Sequence, residues 1–304
     1  MNILNLIRWK NLGMIALAQI LVKYALLEPF GVATALNGLQ FTLLVLASVG
    51  LAAAGNIIND IYDVETDLVN KPHGVLIGKS VSEKLAYNLF FAFNILGVLL
   101  GYYVATSVGK DVFFGLFVFV SASLYFYASY LKQVLLAGNV IISLLVALSI
   151  VIVGIFDLLP AVTPHNQETQ STFFKIILDY AMFAFFINFL REMVKDIEDI
   201  DGDYKAGMNT LPIAIGRDRA IKIAFVLSLL PIASILYYTA TYLYHQTLAV
   251  IYFLVGIIGP LIFVAIKLFS AETKKQLHLI ANLLKLVMFF GILSMLLYRF
   301  ILLK

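Results

Sequence analysis

The chain has 304 residues, of which 62% are hydrophobic and only 13% are charged, and its mean hydropathy is +0.97. Soluble domains are about half apolar and about a quarter charged, so this composition excludes a soluble globular protein and indicates an integral membrane protein. The net charge of +3 gives no support for nucleic-acid binding, and the absence of cysteine excludes disulfides, thiolate metal sites and cysteine nucleophiles.

Long apolar runs follow one another after a short amphipathic lead-in at residues 1–12. Helices rise about 1.5 Å per residue, so runs of this length suit helices that cross about 30 Å of hydrocarbon. A barrel would instead show segments of about ten residues with alternating hydrophobicity. The sequence therefore predicts an all-α integral membrane fold with about nine transmembrane helices around a central cavity. The predicted spans are residues 12–27, 39–58, 85–105, 112–131, 134–159, 173–190, 220–242, 247–269 and 277–302.

A single membrane-embedded domain is predicted for residues 1–304, with a pseudo-repeat of about 12–132 and 134–268 followed by a ninth helix. In each half an apolar span runs into an acidic segment and then into a loop that ends in glycine, at Gly74 and at Gly216. This similarity indicates an ancient duplication around one cavity.

Lysines and arginines are concentrated on the side of the membrane to which both acidic segments are assigned. Both segments follow even-numbered spans and therefore share a side with the N-terminus; Arg8, Lys71, Lys132 and Arg217 lie on that side. Because cytoplasmic loops carry the excess of Lys and Arg, we expect a multi-pass protein of the plasma (inner) membrane with this side in the cytoplasm. Lys23, inside the first span, is expected to snorkel toward a surface.

The first acidic segment follows the second span directly. In a helix, Asn59, Asp63 and Asp67 are spaced i, i+4 and i+8, and Asn56 and Asp60 fall on a neighbouring part of the same face. Stacked carboxylates repel one another, and near a bilayer such residues are functional by default. A cation is therefore expected between them. The ligands are oxygen atoms, without Cys or His, and this set favours a hard cation such as Mg²⁺.

The second acidic segment follows the sixth span. Glu192, Asp196, Asp199 and Asp203 are spaced by four, three and four residues, which again places them on one helical face. Gly202 is expected to loosen the last turn. Two matched segments on one side of the membrane favour a common function over two ordinary solvated helix ends.

Mg²⁺ keeps several waters and binds through a few carboxylates together with substrate phosphates. The substrate is therefore expected to carry phosphate. Since the rest of the cavity must be apolar, the other end of the substrate is predicted to be a lipid. The side chains predicted to bind the diphosphate are Asn56, Lys71, Lys132, Arg191, Lys195 and Arg8.

A lipid diphosphate bound in this way has one obvious reaction, in which the diphosphate departs and leaves an allylic carbocation for an acceptor. The metal and the basic side chains stabilise the departing diphosphate. Aromatic faces can stabilise such a cation and exclude water. The predicted wall residues are Tyr62, Tyr125, Tyr127, Tyr130 and Asn188.

The two acidic segments resemble the two signatures of the UbiA family of intramembrane prenyltransferases. Asn59-Asp60-x-x-Asp63-x-x-x-Asp67 is similar to the first signature, and Lys195-Asp196-x-x-Asp199-x-x-x-Asp203 is similar to the second. The resemblance implies Mg²⁺ held by the two Asp motifs, a polyprenyl diphosphate donor and transfer of the prenyl group to an acceptor in the membrane. The metal ligands that it implies are Asn59, Asp60, Asp63, Asp67, Asp196, Asp199 and Asp203.

Catalytic roles are implied for Asp63 and Asp199 and, in a turn that resembles the family's fourth-to-fifth span connection, for Tyr130 and Lys132. One departure is His73-Gly74-Val75, where many relatives have Arg-Pro. The acceptor is predicted from residues 191–203, which most resemble the branch that prenylates geranylgeranylglyceryl phosphate.

Other interpretations stay open at this point. An aromatic acceptor, hydroxybenzoate or dihydroxynaphthoate, would place the protein in quinone synthesis, and a cation-coupled transporter would also place acids in a membrane. Lys132 could be an ordinary membrane anchor and the tyrosines an interfacial belt. Glu198 and Asp201 lie off the motif face and are expected to be solvated, and His278 is expected to be a loop or interface residue. The sequence predicts no oligomeric state.

Overall fold

The computed structural model describes residues 2–302. Within these residues nine helices are long and apolar enough to cross a membrane. They are numbered here as spans 1 to 9: Trp9–Phe30, Gly38–Tyr62, Glu83–Ser107, Asp111–Ser129, Ala137–Ala161, Gln167–Lys205, Arg217–Leu243, Thr247–Phe269 and Lys274–Phe300. Shorter helices lie at Asn2–Leu6, Val64–Asn70 and Leu211–Ile215. The prediction of an all-α membrane fold with about nine spans is confirmed.

The chain divides into two compact units. Unit 1 comprises Met1–Lys132 and Leu148–Leu178, and unit 2 comprises Gln133–Ala147 and Asp179–Lys304. The first acidic segment belongs to unit 1 and the second to unit 2.

In unit 1, small residues allow spans 2 and 3 to pack closely. A Cβ atom added at Gly97 would lie 2.9 Å from the Leu51 side chain and 3.2 Å from the Ala47 carbonyl oxygen, and one at Gly50 would lie 3.5 Å from the Phe93 carbonyl oxygen. Close approach of this kind is typical of membrane helix pairs. It fixes span 2, the helix from which the first acidic segment emerges.

An apolar cluster of unit 1 packs around the end of span 2, where the first acidic segment lies. Leu6 of the N-terminal helix, Ile57 and Ile58 of span 2, and Val81 of the following loop are all buried in it. The lead-in helix and the loop are therefore held against the end of span 2 by apolar contacts.

Spans 1 and 5 carry a buried ion pair within unit 1. Both spans widen to π-helical turns, at Val22–Leu27 and Gly154–Leu158. The Lys23 Nζ atom lies 2.9 Å from Asp157 Oδ2 and donates to the Leu36 carbonyl oxygen at 2.7 Å. Lys23 is 2% exposed and Asp157 is fully buried, so the expectation that Lys23 snorkels to a surface is wrong. An internal carboxylate satisfies its charge instead.

Span 6 is one helix from Gln167 to Lys205, and its part from Asp179 onward, which belongs to unit 2, includes the whole second acidic segment. The loosening expected at Gly202 does not occur, because the helix continues past that residue. Ile197 of span 6 packs in one apolar core with Leu261 of span 8 and Leu277 of span 9. This core holds the acidic end of span 6.

Candidate active site

The first acidic motif bends at Asp63. Span 2 ends at Tyr62, and Asp63, with φ −93° and ψ 0°, separates it from the helix Val64–Asn70. The Asp63 N–H still donates to the Asn59 carbonyl oxygen at 2.9 Å, and the Asp67 N–H donates to that of Asp63 at 2.8 Å. The four-residue spacing read from the sequence therefore persists, although the single uninterrupted helix does not.

Two side chains donate to the Asp63 carboxylate. Lys132 donates to one of its oxygens, and the Asn59 Nδ2 atom donates to the other at 2.5 Å. Lys132 comes from the turn after span 4, and its side chain is 9% exposed. The structure thus brings together three residues that were predicted to share one site.

Asp60 is paired with the N-terminal segment. The Arg8 Nη2 atom lies 2.6 Å from Asp60 Oδ1, and the Asn56 Nδ2 atom donates to the Ile7 carbonyl oxygen at 2.9 Å. Arg8 adopts a left-handed backbone conformation with φ 54°, which is uncommon outside glycine. Burial lowers the pKa of the Arg8 guanidinium, but the charge and hydrogen bond of Asp60, together with the charges of Asp63 and Tyr127, raise it by more, so the net shift is upward.

The remaining predicted residues of unit 1 lie around these pairs or further out. Asp67 is half-buried on the helix Val64–Asn70, and Lys71 is exposed directly after it. Tyr130 directly follows the last residue of span 4 and is 62% exposed. The Tyr62 and Tyr125 hydroxyl groups lie 3.2 Å apart with their rings edge to face, and Tyr127 is half-buried.

In unit 2, Asp196 accepts a hydrogen bond from a side chain of span 5. The Asn139 Nδ2 atom donates to Asp196 Oδ2 at 2.8 Å. The Ser143 hydroxyl donates to the Asn139 carbonyl oxygen at 2.6 Å, and Asn188 Nδ2 donates to the Ser143 hydroxyl at 3.1 Å. Asn188, predicted as a wall residue, lies in this buried polar chain.

Glu192 contacts two of the predicted diphosphate-binding cations. Arg191 Nη1 lies 2.7 Å from Glu192 Oε1, and Lys195 Nζ lies 3.1 Å from Glu192 Oε2. Further along the same face Asp199 is half-buried and Asp203 is 8% exposed. The second acidic segment therefore presents its carboxylates from one continuous helix, and two cations pair with Glu192.

Sequence reasoning missed the polar support of the second motif. Asn139 and Ser143 are four residues apart near the start of span 5, and this spacing was the available signal. His278 was assigned to a loop or interface, yet its Nδ1 atom lies 3.0 Å from Glu198 Oε1. Glu198 is 8% exposed, so the expectation that it is solvated is wrong; Asp201, 69% exposed in its side chain, is solvated as expected.

The arrangement and the chemistry of these side chains bear on metal binding. Within residues 2–302 no three or more Asp, Glu or His side chains converge as a ready-made metal site. The donor set is nevertheless the oxygen-rich set that Mg²⁺ prefers. In the same described part, the buried Asn59 Oδ1 atom, beside Asp63, accepts no hydrogen bond. By ligand chemistry, the first motif fits a hard cation.

Comparison with known proteins places the chain in a family. It matches the UbiA prenyltransferase family over residues 16–293. A digeranylgeranylglyceryl phosphate synthase of Korarchaeum cryptofilum is 31% identical over 255 residues, which cover 81% of this chain and 81% of the relative. One of Methanosphaera stadtmanae is 29% identical over 245 residues, which cover 79% and 81%.

Solved structures share the fold. A structure described as giving insights into digeranylgeranylglyceryl phosphate synthase in membranes is 22% identical, with a TM-score of 0.59, and the match covers 97% of this chain and 96% of the other. A UbiA homologue from Archaeoglobus fulgidus bound to GPP and Mg²⁺ is 16% identical, with a TM-score of 0.50, and the match covers 97% and 99%.

The apolar spans and the two acidic motifs at their ends define an integral, multi-pass membrane enzyme that transfers prenyl groups. The chain belongs to the UbiA prenyltransferase family. It is thus a transferase of alkyl groups other than methyl.

Proposed function

We propose that the protein transfers a polyprenyl group from a prenyl diphosphate to geranylgeranylglyceryl phosphate in a Mg²⁺-dependent reaction, as in ether-lipid synthesis. The observation that carries the proposal is the grouping of Asp63, Asn59 and Lys132, in which a carboxylate, an amide oxygen and an ammonium group lie together at the end of a span. The names of the relatives in Korarchaeum cryptofilum and Methanosphaera stadtmanae support the choice of acceptor.

The carboxylates of the two motifs, together with one amide, are the proposed metal ligands: Asn59, Asp60, Asp63 and Asp67 in unit 1, and Asp196, Asp199 and Asp203 in unit 2. Bound Mg²⁺ would supply positive charge that stabilises the departing diphosphate. The oxygen-only donor set and the unsatisfied Asn59 Oδ1 atom support this assignment.

The basic side chains would bind the diphosphate itself. Lys132 donates to Asp63, and we expect its ammonium group to contact a diphosphate oxygen when the donor binds. Lys71, Arg191, Lys195, Arg8 and Asn56 are the other proposed contacts. Charge-assisted hydrogen bonds of this kind are about twice as strong as neutral ones.

Aromatic side chains would protect the allylic cation. Tyr62 and Tyr125 form an edge-to-face pair beside the first motif, with ring centroids 6.3 Å apart. Their faces, with those of Tyr127 and Tyr130, would stabilise positive charge and exclude water until the acceptor reacts. The proposed location is the plasma (inner) membrane, with the N-terminus and the active-site mouth on the cytoplasmic side.

An acceptor panel tests the proposal. Purified protein is incubated with geranylgeranyl diphosphate, Mg²⁺ and, in separate reactions, geranylgeranylglyceryl phosphate, hydroxybenzoate or dihydroxynaphthoate, and products are identified by mass spectrometry. We expect a product with the glyceryl phosphate alone, and we expect EDTA to remove it.

Each other outcome has a defined meaning. A product with an aromatic acid alone would replace the proposed acceptor by one of quinone synthesis. Equal product with and without EDTA would overturn Mg²⁺ dependence. Absence of product with every acceptor and several donor lengths would contradict the proposed transfer.

A further inference from the structure

The acidic segment of span 6 has two faces, and only one of them is used by the proposed function. At about 100° per residue, Asp196, Asp199 and Asp203 share one face, whereas Glu198 and Asp201 fall on the roughly opposite side. These two acids are about one turn apart. Because they lie on the opposite side of the helix, they contact a different part of unit 2 from the motif carboxylates.

That opposite face meets the beginning of span 9. The His278 Nδ1 atom lies 3.0 Å from Glu198 Oε1. Since a carboxylate oxygen can only accept from it, the imidazole donates. One turn earlier on span 9, Lys274 Nζ lies 3.9 Å from Asp201 Oδ2.

The two contacts differ in the burial of their acids, whereas both partners on span 9 are exposed, His278 by 64% of its side chain. Glu198 is 8% exposed, so its carboxylate would lose a large part of its hydration without receiving a partner if His278 were absent. The side chains of Asp201 and Lys274 are 69% and 40% exposed, and an exposed pair at this distance contributes little. The Glu198–His278 contact is therefore the one that constrains the two helices.

Beyond the Asn139–Asp196 hydrogen bond, apolar packing defines the rotation of the last turns of span 6 less sharply than a directional contact would. Ile197 and Leu277 lie in the same apolar core, but apolar contacts are non-directional. A hydrogen bond fixes both the distance and the orientation of the groups that it joins. On the span 9 side, a capping box between Thr273 and Gln276 fixes the start of the helix, so His278 is presented from a defined position.

We propose that Glu198 and His278 are positioning residues that fix the rotation of the last turns of span 6, so that Asp199 and Asp203 are presented for Mg²⁺ and diphosphate. The role of the Asp carboxylates in this inference rests on the proposed function. The tether between spans 6 and 9 does not, because it can be measured without turnover.

Two substitutions of His278 separate a positioning role from a general structural one. His278→Leu removes the donor, whereas His278→Asn keeps an N–H donor near the position of Nδ1. Lys274→Gln is the matched control, because it removes the exposed contact one turn earlier on the same helix. Amide hydrogen exchange of residues 198–205 in detergent reports the tether directly.

We expect exchange in this segment to be about tenfold faster in His278→Leu than in Lys274→Gln, with His278→Asn close to the wild type. In transfer assays, we expect His278→Leu to need about tenfold more Mg²⁺ for half-maximal rate, with a smaller change in kcat. Glu198→Gln, which keeps an acceptor, should fall between His278→Leu and the wild type.

Exchange in His278→Leu equal to that in Lys274→Gln would overturn the tether. Faster exchange with an unchanged Mg²⁺ requirement would overturn its positioning role. If the wild type itself transfers no prenyl group, the proposed function fails, and the exchange comparison still decides whether spans 6 and 9 are tethered.

Discussion

Charged and amide side chains accompany the carboxylates of the first motif. Asp60 contacts Arg8, and Asp63 contacts both Lys132 and Asn59. An unpaired carboxylate that is mostly buried would be strongly unfavourable, because it loses hydration. The pairs offset this desolvation cost. The same cations are proposed diphosphate contacts, so these pairs and the proposed reaction use the same residues.

Replacing Lys132 tests this exchange. Lys132→Met leaves Asp63 without its cationic donor and removes one charge from the diphosphate site, so we expect kcat for prenyl transfer to fall at least about tenfold. The exposed Lys84, at the start of span 3, provides the control variant Lys84→Met. Equal activity in the two variants would mean that Lys132 is an ordinary membrane anchor.

The carboxylates of the site could be predicted from the sequence, but most of their partners could not. Asp60, Asp63 and Asp67 lie within one short segment, where helical spacing alone indicates a common face. Lys132 contacts Asp63 across 69 positions, and Asn139 contacts Asp196 across 57. Such contacts depend on how the spans pack, and the helical periodicity of a short segment carries no information about that packing.

The helices show the same division between local and tertiary information. Their number follows from long apolar runs, which need about 20 residues to cross the bilayer. The end of span 2 does not follow from hydropathy, because the helix is interrupted at Asp63 within a continuous acidic pattern. Hydropathy also ends span 6 near Leu190, whereas the helix continues to Lys205 since its acidic turns pack on an apolar core.

The ion pair between spans 1 and 5 carries a prediction about stability. Breaking a buried pair leaves one uncompensated charge, so Lys23→Met or Asp157→Asn alone should destabilise the protein by about 3–5 kcal/mol. The double variant has neither charge, and the amide oxygen introduced by Asp157→Asn can still accept from the Leu36 N–H. We therefore expect it to be more stable than either single variant, as measured by thermal unfolding in detergent.

Additive losses in the double variant would contradict this account of the pair. They would mean that Lys23 and Asp157 contribute independently, through their separate contacts with the Leu36 backbone, and that their mutual attraction is of little importance.

For the whole molecule, the apolar composition and the two acidic motifs were sufficient to identify the class of enzyme. The family match extends over residues 16–293, which include both motifs and nearly all of the spans. The acceptor is a finer property, because a few side chains in an apolar site can change it while the motifs stay the same. The acceptor panel therefore complements the test of the motifs.

Turnover in two motif variants tests the central claim most directly. Asp63→Asn and Asp199→Asn each replace a carboxylate oxygen by an amide nitrogen of similar size, one in each unit. We expect each variant to lose prenyl transfer by at least about a thousandfold while it remains folded and membrane-inserted. Near-normal transfer in both variants would contradict the assignment of the two acidic motifs to Mg²⁺ and diphosphate.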